Sequence, residues 1–377
     1  MASRESTTLR VGSTFISDGP RQLVLPDGFP FRSGTTIAPF TVAYETFGEL
    51  NPDRSNVILV CHALSANAHA AGKYSVDDLK PGWWDGMIGY GKAFDLERDF
   101  VICVNLPGSC FGTTGPGSID PASGKQWGSR YPEVRIEDMV ESQRMVLDHL
   151  GIDRLKAVVG GSLGGMQALM WCALYPRRVS SLIAMAAAAA VPVHGVAWHI
   201  IGRKIIESDF YFNGGDYYDQ TELRGVQLAR MVGHMTYLSE EALEAKFGRR
   251  RRVPSSQFEI DSYLEYQGRK FSKIFDANSY IRIQAAMDEM DLGEQYGSIE
   301  NAFRDFSAPA LIVGFDTDWL FPIPDVKKLV EALRGRGPTE FLEIGTANGH
   351  DAFLIDYALI TPPVQAFLDR SLRHDLI

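Results

Sequence analysis

The stretch Gly160-Gly161-Ser162-Leu163-Gly164-Gly165 constrains this chain more than any other. A short apolar run, Leu155 to Val159, precedes it, and a helical pattern, Met166 to Tyr175, follows. The expected geometry is therefore a strand that turns sharply through Ser162 into a helix. Glycines two residues either side of the serine suit a turn too tight for a Cβ, and a serine at such a turn stands clear of the sheet as a nucleophile does. A phosphate cradle is the other reading of a glycine-rich turn between strand and helix. No Lys-Ser/Thr closes this loop, and the glycine spacing is not that of a dinucleotide site.

The rest of the chain supplies a sheet for that turn. Gln22 to Leu25 and Phe40 to Phe47 read as leading antiparallel strands. Asn56 to Cys61, Phe100 to Asn105 and Ser181 to Ala186 are continuous apolar runs of the kind a strand buried on both faces requires. Met139, Val140, Val146, Leu147 and Leu150 recur at helical spacing and stop at Gly151. The rhythm returns with strands at Ala310 to Gly314 and Glu340 to Ile344, and helices at Pro324 to Leu333 and Ala352 to Leu372. Strands alternating with helices imply a parallel sheet with right-handed crossovers. Between about Val191 and Asn301 the patterns are helical and rich in aromatics, so the expected organisation is a core of residues 1–190 and 302–377 carrying an inserted helical lid of residues 191–301.

A serine hydroxyl needs a base, and the base needs an orienting acid. Asp318 follows the strand Ala310 to Gly314, and His350 follows the strand Glu340 to Ile344. Both then lie at the carboxyl edge of the sheet with Ser162, where α/β folds build sites. Among the eight histidines His350 alone holds this position. Asp316 competes with Asp318 for the role of acid. The oxyanion of an acyl-transfer intermediate needs donors, and the backbone N–H groups of Leu163 and of Leu64, in the loop after Cys61, are placed to provide them.

Composition narrows the partners. A net charge of −10 argues against duplex nucleic acid or an anionic membrane as partner. The basic run Arg249 to Arg252 reads as a solvated loop. The four cysteines, Cys61, Cys103, Cys110 and Cys172, lack metal-site spacing, so no metal is expected. The longest apolar run, Leu182 to Val193, is shorter than the ~20 residues of a membrane helix, and Met1 to Val11 lacks the apolar segment of a signal peptide. The chain reads as a soluble, cytoplasmic protein.

The segments His62-Ala63-Leu64-Ser65, Pro81-Gly82-Trp83-Trp84-Asp85, Gly160 to Met166, Asn213-Gly214-Gly215-Asp216-Tyr217, Arg230 to Tyr237 and Gly349 to Leu354 together resemble those of the homoserine O-acetyltransferase family. The resemblance runs from about Leu9 to Leu372. It implies an α/β-hydrolase fold with a mostly parallel central sheet, a lid that forms a homodimer interface, and acetyl transfer from acetyl-CoA to L-homoserine in methionine synthesis. Acetyl-CoA is then a co-substrate, and no bound cofactor is implied. The same resemblance places the acid at Asp318, the substrate carboxylate on Arg230 with Tyr237 as helper, and the substrate amino group on Asp351. Gly108-Ser109-Cys110 departs from the family, which usually shows two glycines before this cysteine. Succinyl-CoA as donor, L-serine as acceptor, and a carboxylesterase on the same scaffold are the competing readings.

Overall fold

The computed structural model describes residues 10–11, 14–219 and 222–374; most of the Met1 to Val11 stretch lies outside them. Eight strands form one sheet: β1 (Arg21–Leu25), β2 (Phe40–Phe47), β3 (Val57–Cys61), β4 (Phe100–Val104), β5 (Ala157–Gly161), β6 (Leu182–Met185), β7 (Ala310–Phe315) and β8 (Thr339–Ile344). Their spatial order is β1-β2-β4-β3-β5-β6-β7-β8. The pairs β1/β2 and β2/β4 are antiparallel. Every later pair is parallel, as the crossover helices require.

The apolar runs are buried for a geometric reason. Successive side chains of a strand point to opposite faces. Val57, Leu59 and Cys61 of β3 join the core on one face, with α1 (Ile136–His149) and α2 (Leu163–Leu174), while Ile58 and Val60 join the core on the other. That second core is closed by Trp84, Phe94 and the C-terminal helix, whose Ile360, Val364 and Phe367 are buried. A strand apolar on both faces has no other place to go.

Between β6 and β7 the described chain is helical: α3 (Val193–Glu207), α4 (Arg224–Tyr237), α5 (Glu240–Lys246), α6 (Glu259–Ser272), α7 (Ala277–Asp288), α8 (Leu292–Tyr296) and α9 (Ile299–Ala302). After β7 come α10 (Ile323–Arg334) and, beyond β8, α11 (Tyr357–His374). The basic run is a surface loop in which Arg250 pairs with Glu259 and Arg251 lies 3.8 Å over the Phe258 ring.

Several expected boundaries move; the helix placed at Met166 to Tyr175 is Leu163–Leu174. The strand placed at Leu155 to Val159 is Ala157–Gly161, and its last two positions are glycines because the Gly164 backbone presses on Gly160 and the Phe353 ring on Gly161. The helix placed at Ala352 to Leu372 is a 3-10 turn, Gly349–Leu354, followed by α11 from Tyr357.

Candidate active site

The turn from β5 to α2 is as tight as its glycines suggested. Ser162 has φ 58° and ψ −127°, a region that a side-chain-bearing residue enters only under constraint. The constraint is steric. A Cβ on Gly160 would overlap the Gly164 backbone, and one on Gly164 would overlap the Cys61 carbonyl. The Ser162 amide donates to the Met185 carbonyl at 3.0 Å, which ties the turn to β6.

The structure brings Ser162, His350 and Asp318 together from three strand ends. Ser162 Oγ lies 2.8 Å from His350 Nε2, and His350 Nδ1 lies 2.9 Å from Asp318 Oδ2. All three residues are buried. The other Asp318 oxygen accepts from the Leu320 and Phe321 amides at 2.8 and 3.0 Å, so the carboxylate cannot rotate away. Asp316 is exposed and accepts instead from the Thr346 amide at 2.9 Å. That geometry removes the rival acid from the histidine. Burial pulls the His350 pKa down, but the charge of Asp318, its hydrogen bond and the nearby Asp351 outweigh burial and hold it above its ordinary value.

His350 also rests on the helical insertion. Gly349 has φ 60°, and a Cβ there would meet the Tyr237 carbonyl at 2.7 Å and the Ser239 amide at 2.8 Å. Ser239 Oγ donates to the Ala347 carbonyl. The end of α4 and the histidine loop are therefore joined.

The remaining expected residues sit around this line. Leu163 is the first residue of α2, and Leu64 lies in the loop after β3; among the described residues neither backbone N–H has a protein acceptor. The Tyr237 ring is 6.2 Å from the His350 ring. The Arg230 guanidinium lies 5.1 Å over Tyr237 and 4.6 Å over Phe271, and its Nη1 is buried without a hydrogen-bond partner. Burial raises the Asp351 pKa, against the pull of His350 and Arg230. Burial likewise raises the Tyr237 hydroxyl.

Sequence reasoning passed over His234, which is buried one turn beyond Arg230. Both its ring nitrogens lack partners, and burial with Arg230, Lys246 and Lys270 nearby pulls its pKa to about 3. The imidazole is thus neutral at physiological pH. It also passed over Gln167, a polar residue within the otherwise apolar run of α2, which was the available signal. A cavity of about 610 Å³ lined by Arg54, Arg154, Lys156 and Ser181 contains none of the triad. No group of metal-ligating side chains and no helix long and apolar enough to cross a membrane occurs among the described residues.

A family model of the alpha/beta hydrolase fold matches residues 56–357. The fold and the strained serine turn thus define the class, an α/β hydrolase. Homoserine O-acetyltransferase of Deferribacter desulfuricans is 45% identical over 93% of this chain and 95% of its own length. Homoserine O-succinyltransferase of Leptothrix cholodnii is 44% identical over 93% of this chain and 96% of its own. The crystal structure of homoserine O-acetyltransferase from Bacillus anthracis superposes with a TM-score of 0.88 at 32% identity, covering 93% of this chain and 97% of that one. Within the α/β hydrolases, this chain belongs to the homoserine O-acetyltransferase family.

Proposed function

We propose that the protein transfers an acetyl group from acetyl-CoA to the side-chain hydroxyl of L-homoserine through an acyl-Ser162 intermediate. The observation that carries the choice of a transferase over an esterase is Arg230. A guanidinium with a buried, unpaired nitrogen, set beside Tyr237 and near Asp351, lacks an anionic partner that an amino-acid carboxylate would supply.

His350 Nε2 takes the Ser162 proton as Oγ attacks the thioester carbonyl. The resulting oxyanion is held by the Leu163 and Leu64 amides. Collapse expels the CoA sulfur, which leaves with the proton from His350. Homoserine then binds with its carboxylate on Arg230 and Tyr237 and its ammonium on Asp351. Its hydroxyl gives its proton to His350 Nε2 and attacks the acyl carbonyl, and Ser162 Oγ recovers the proton as it leaves. Asp318 stabilises the imidazolium in both halves.

Residues 1–190 and 302–377 form the catalytic core in this reading, and residues 191–301 the lid. The exposed apolar side chains Val193, Ile200, Ile201, Phe210 and Tyr211 support pairing of two lids in a homodimer. Methionine synthesis in the cytoplasm is the corresponding setting. A succinyl donor is the second reading, favoured by the 44% identity to the Leptothrix cholodnii protein. Release of CoA from acetyl- and succinyl-CoA, each with homoserine, serine or no acceptor, decides between them. Release without an acceptor at the same rate as with homoserine would instead assign an esterase. Light scattering at micromolar concentration tests the dimer, and a monomer would overturn it.

A further inference from the structure

The loop that carries Leu64 and the helix that carries Leu163 are cross-linked by one buried side-chain amide. Gln167 Nε2 donates to the His62 carbonyl at 3.0 Å and to the Leu163 carbonyl at 3.2 Å. His62 is two residues before Leu64. The orientation of this amide is fixed from behind. Trp171 Nε1, which is only a donor, lies 2.6 Å from Gln143 Oε1, so Gln143 must present Nε2 to Gln167 Oε1, at 2.6 Å. Gln167 is then left with only its NH₂ group to face the two carbonyls. Gln143, Gln167 and Trp171 are fully buried, and Cys61 Sγ also approaches Gln143 Oε1 at 3.8 Å.

Two glutamines at the centre of a core are costly unless every polar atom is paired, and an apolar side chain of the same size would pack there without that requirement. The far end of the Leu64 loop is pinned separately, by Trp83 Nε1 on the Asn67 carbonyl at 2.9 Å and by His69 on Glu45 at 3.0 Å. Its near end is held to the nucleophile's own helix by Gln167. We propose that Gln167, oriented by Gln143 and Trp171, is a positioning residue that sets the spacing of the two oxyanion donors. The inference rests on the assignment of Leu64 and Leu163 as those donors.

The test is the pre-steady-state rate of Ser162 acylation by acetyl-CoA in Gln167→Met and Gln167→Glu. Methionine fills the space and donates nothing. Loss of one oxyanion donor costs about 10²–10³-fold, so a loosened pair should slow acylation by about 10-fold or more, with KM for acetyl-CoA and the melting temperature close to those of the parent. An ionised glutamate sets an acceptor against two carbonyls, whereas a protonated one donates as the amide does. The acylation rate of Gln167→Glu, divided by the parent rate at each pH, should therefore rise as pH falls. If Gln167→Met does not fold, Gln143→Met, which frees the same amide to rotate, replaces it with the same expectation. Parent-like acylation in the methionine variant would overturn the proposal, as would a rate loss matched by an equal loss of folded protein. Should the parent itself form no acyl-Ser162, the failure would lie in the mechanism and not in Gln167.

Discussion

Replacing Arg230 by methionine should separate the two half-reactions of the proposed mechanism. The methionine chain occupies the slot between Phe271 and Tyr237 that the guanidinium fills at 4.6 and 5.1 Å. Two cation–π contacts of about 0.5–1 kcal/mol each are lost, and the desolvation of an unpaired guanidinium nitrogen is relieved in return. Net stability should then change by no more than about 1 kcal/mol. The acceptor half-reaction loses a charge-assisted pair with the substrate carboxylate, worth about 3 kcal/mol, or roughly a hundredfold in kcat/KM for homoserine. Acetyl-CoA makes no use of that pair, so Ser162 should acylate at the parent rate. Rapid quenching followed by intact-protein mass spectrometry measures acyl-enzyme formation, and a homoserine chase measures its decay. Equal slowing of formation and decay, or an unchanged decay, would refute the assignment of Arg230 to the acceptor carboxylate.

Ser162→Ala should accumulate no acyl adduct on incubation with acetyl-CoA, and His350→Ala should lose turnover nearly as completely, because the members of a triad act as a unit; peptide mass spectrometry reads the first and CoA release the second. Acylation requires neutral His350, whose pKa the Asp318 charge holds above 6.5 despite burial, so the rate should climb with pH through a limb above that value. In Asp318→Asn burial is no longer outweighed, and the limb should move to lower pH while the plateau falls by roughly 10⁴-fold; a limb that stays in place would separate Asp318 from the titration. Gly164→Ala forces a Cβ onto the Cys61 carbonyl, a clash of backbone with side chain that no rotamer relieves, and should cost about 3 kcal/mol or more; a parent-like melting temperature would show that the turn has room.

The central strands were readable because burial on both faces writes itself as an unbroken apolar run, and the serine turn because its glycines have a steric cause visible in their spacing. The register of β5 was not. Gly160 and Gly161 carry no β-branched signal, and only their pairing with Ala184 and Met185 of β6 shows that they continue the strand. The choice between Asp316 and Asp318 was likewise closed to residue patterning, since both follow the same strand. It depends on which carboxylate reaches His350 and which reaches the Thr346 amide, contacts across about 30 positions that arise only when the two loops meet. The partnership of Gln167 with the His62 carbonyl spans 105 positions and lies outside any local pattern.

The seating of Gly349 on the end of α4 bears on how substrates reach the serine. The loop that carries His350, the base of the proposed mechanism, is seated partly on the helical insertion, against the Tyr237 carbonyl and the Ser239 amide and through the bond from Ser239 to Ala347. A hinged door could swing only by dragging His350 off its 2.8 Å contact with Ser162. Traffic of a long thioester and then a small amino acid is therefore expected through a standing passage, with the insertion serving as a wall of the reaction chamber. On the proposed mechanism, excising that wall removes the footing of His350 along with Arg230 and Tyr237, so a trimmed core is expected to be inert and not a simpler hydrolase.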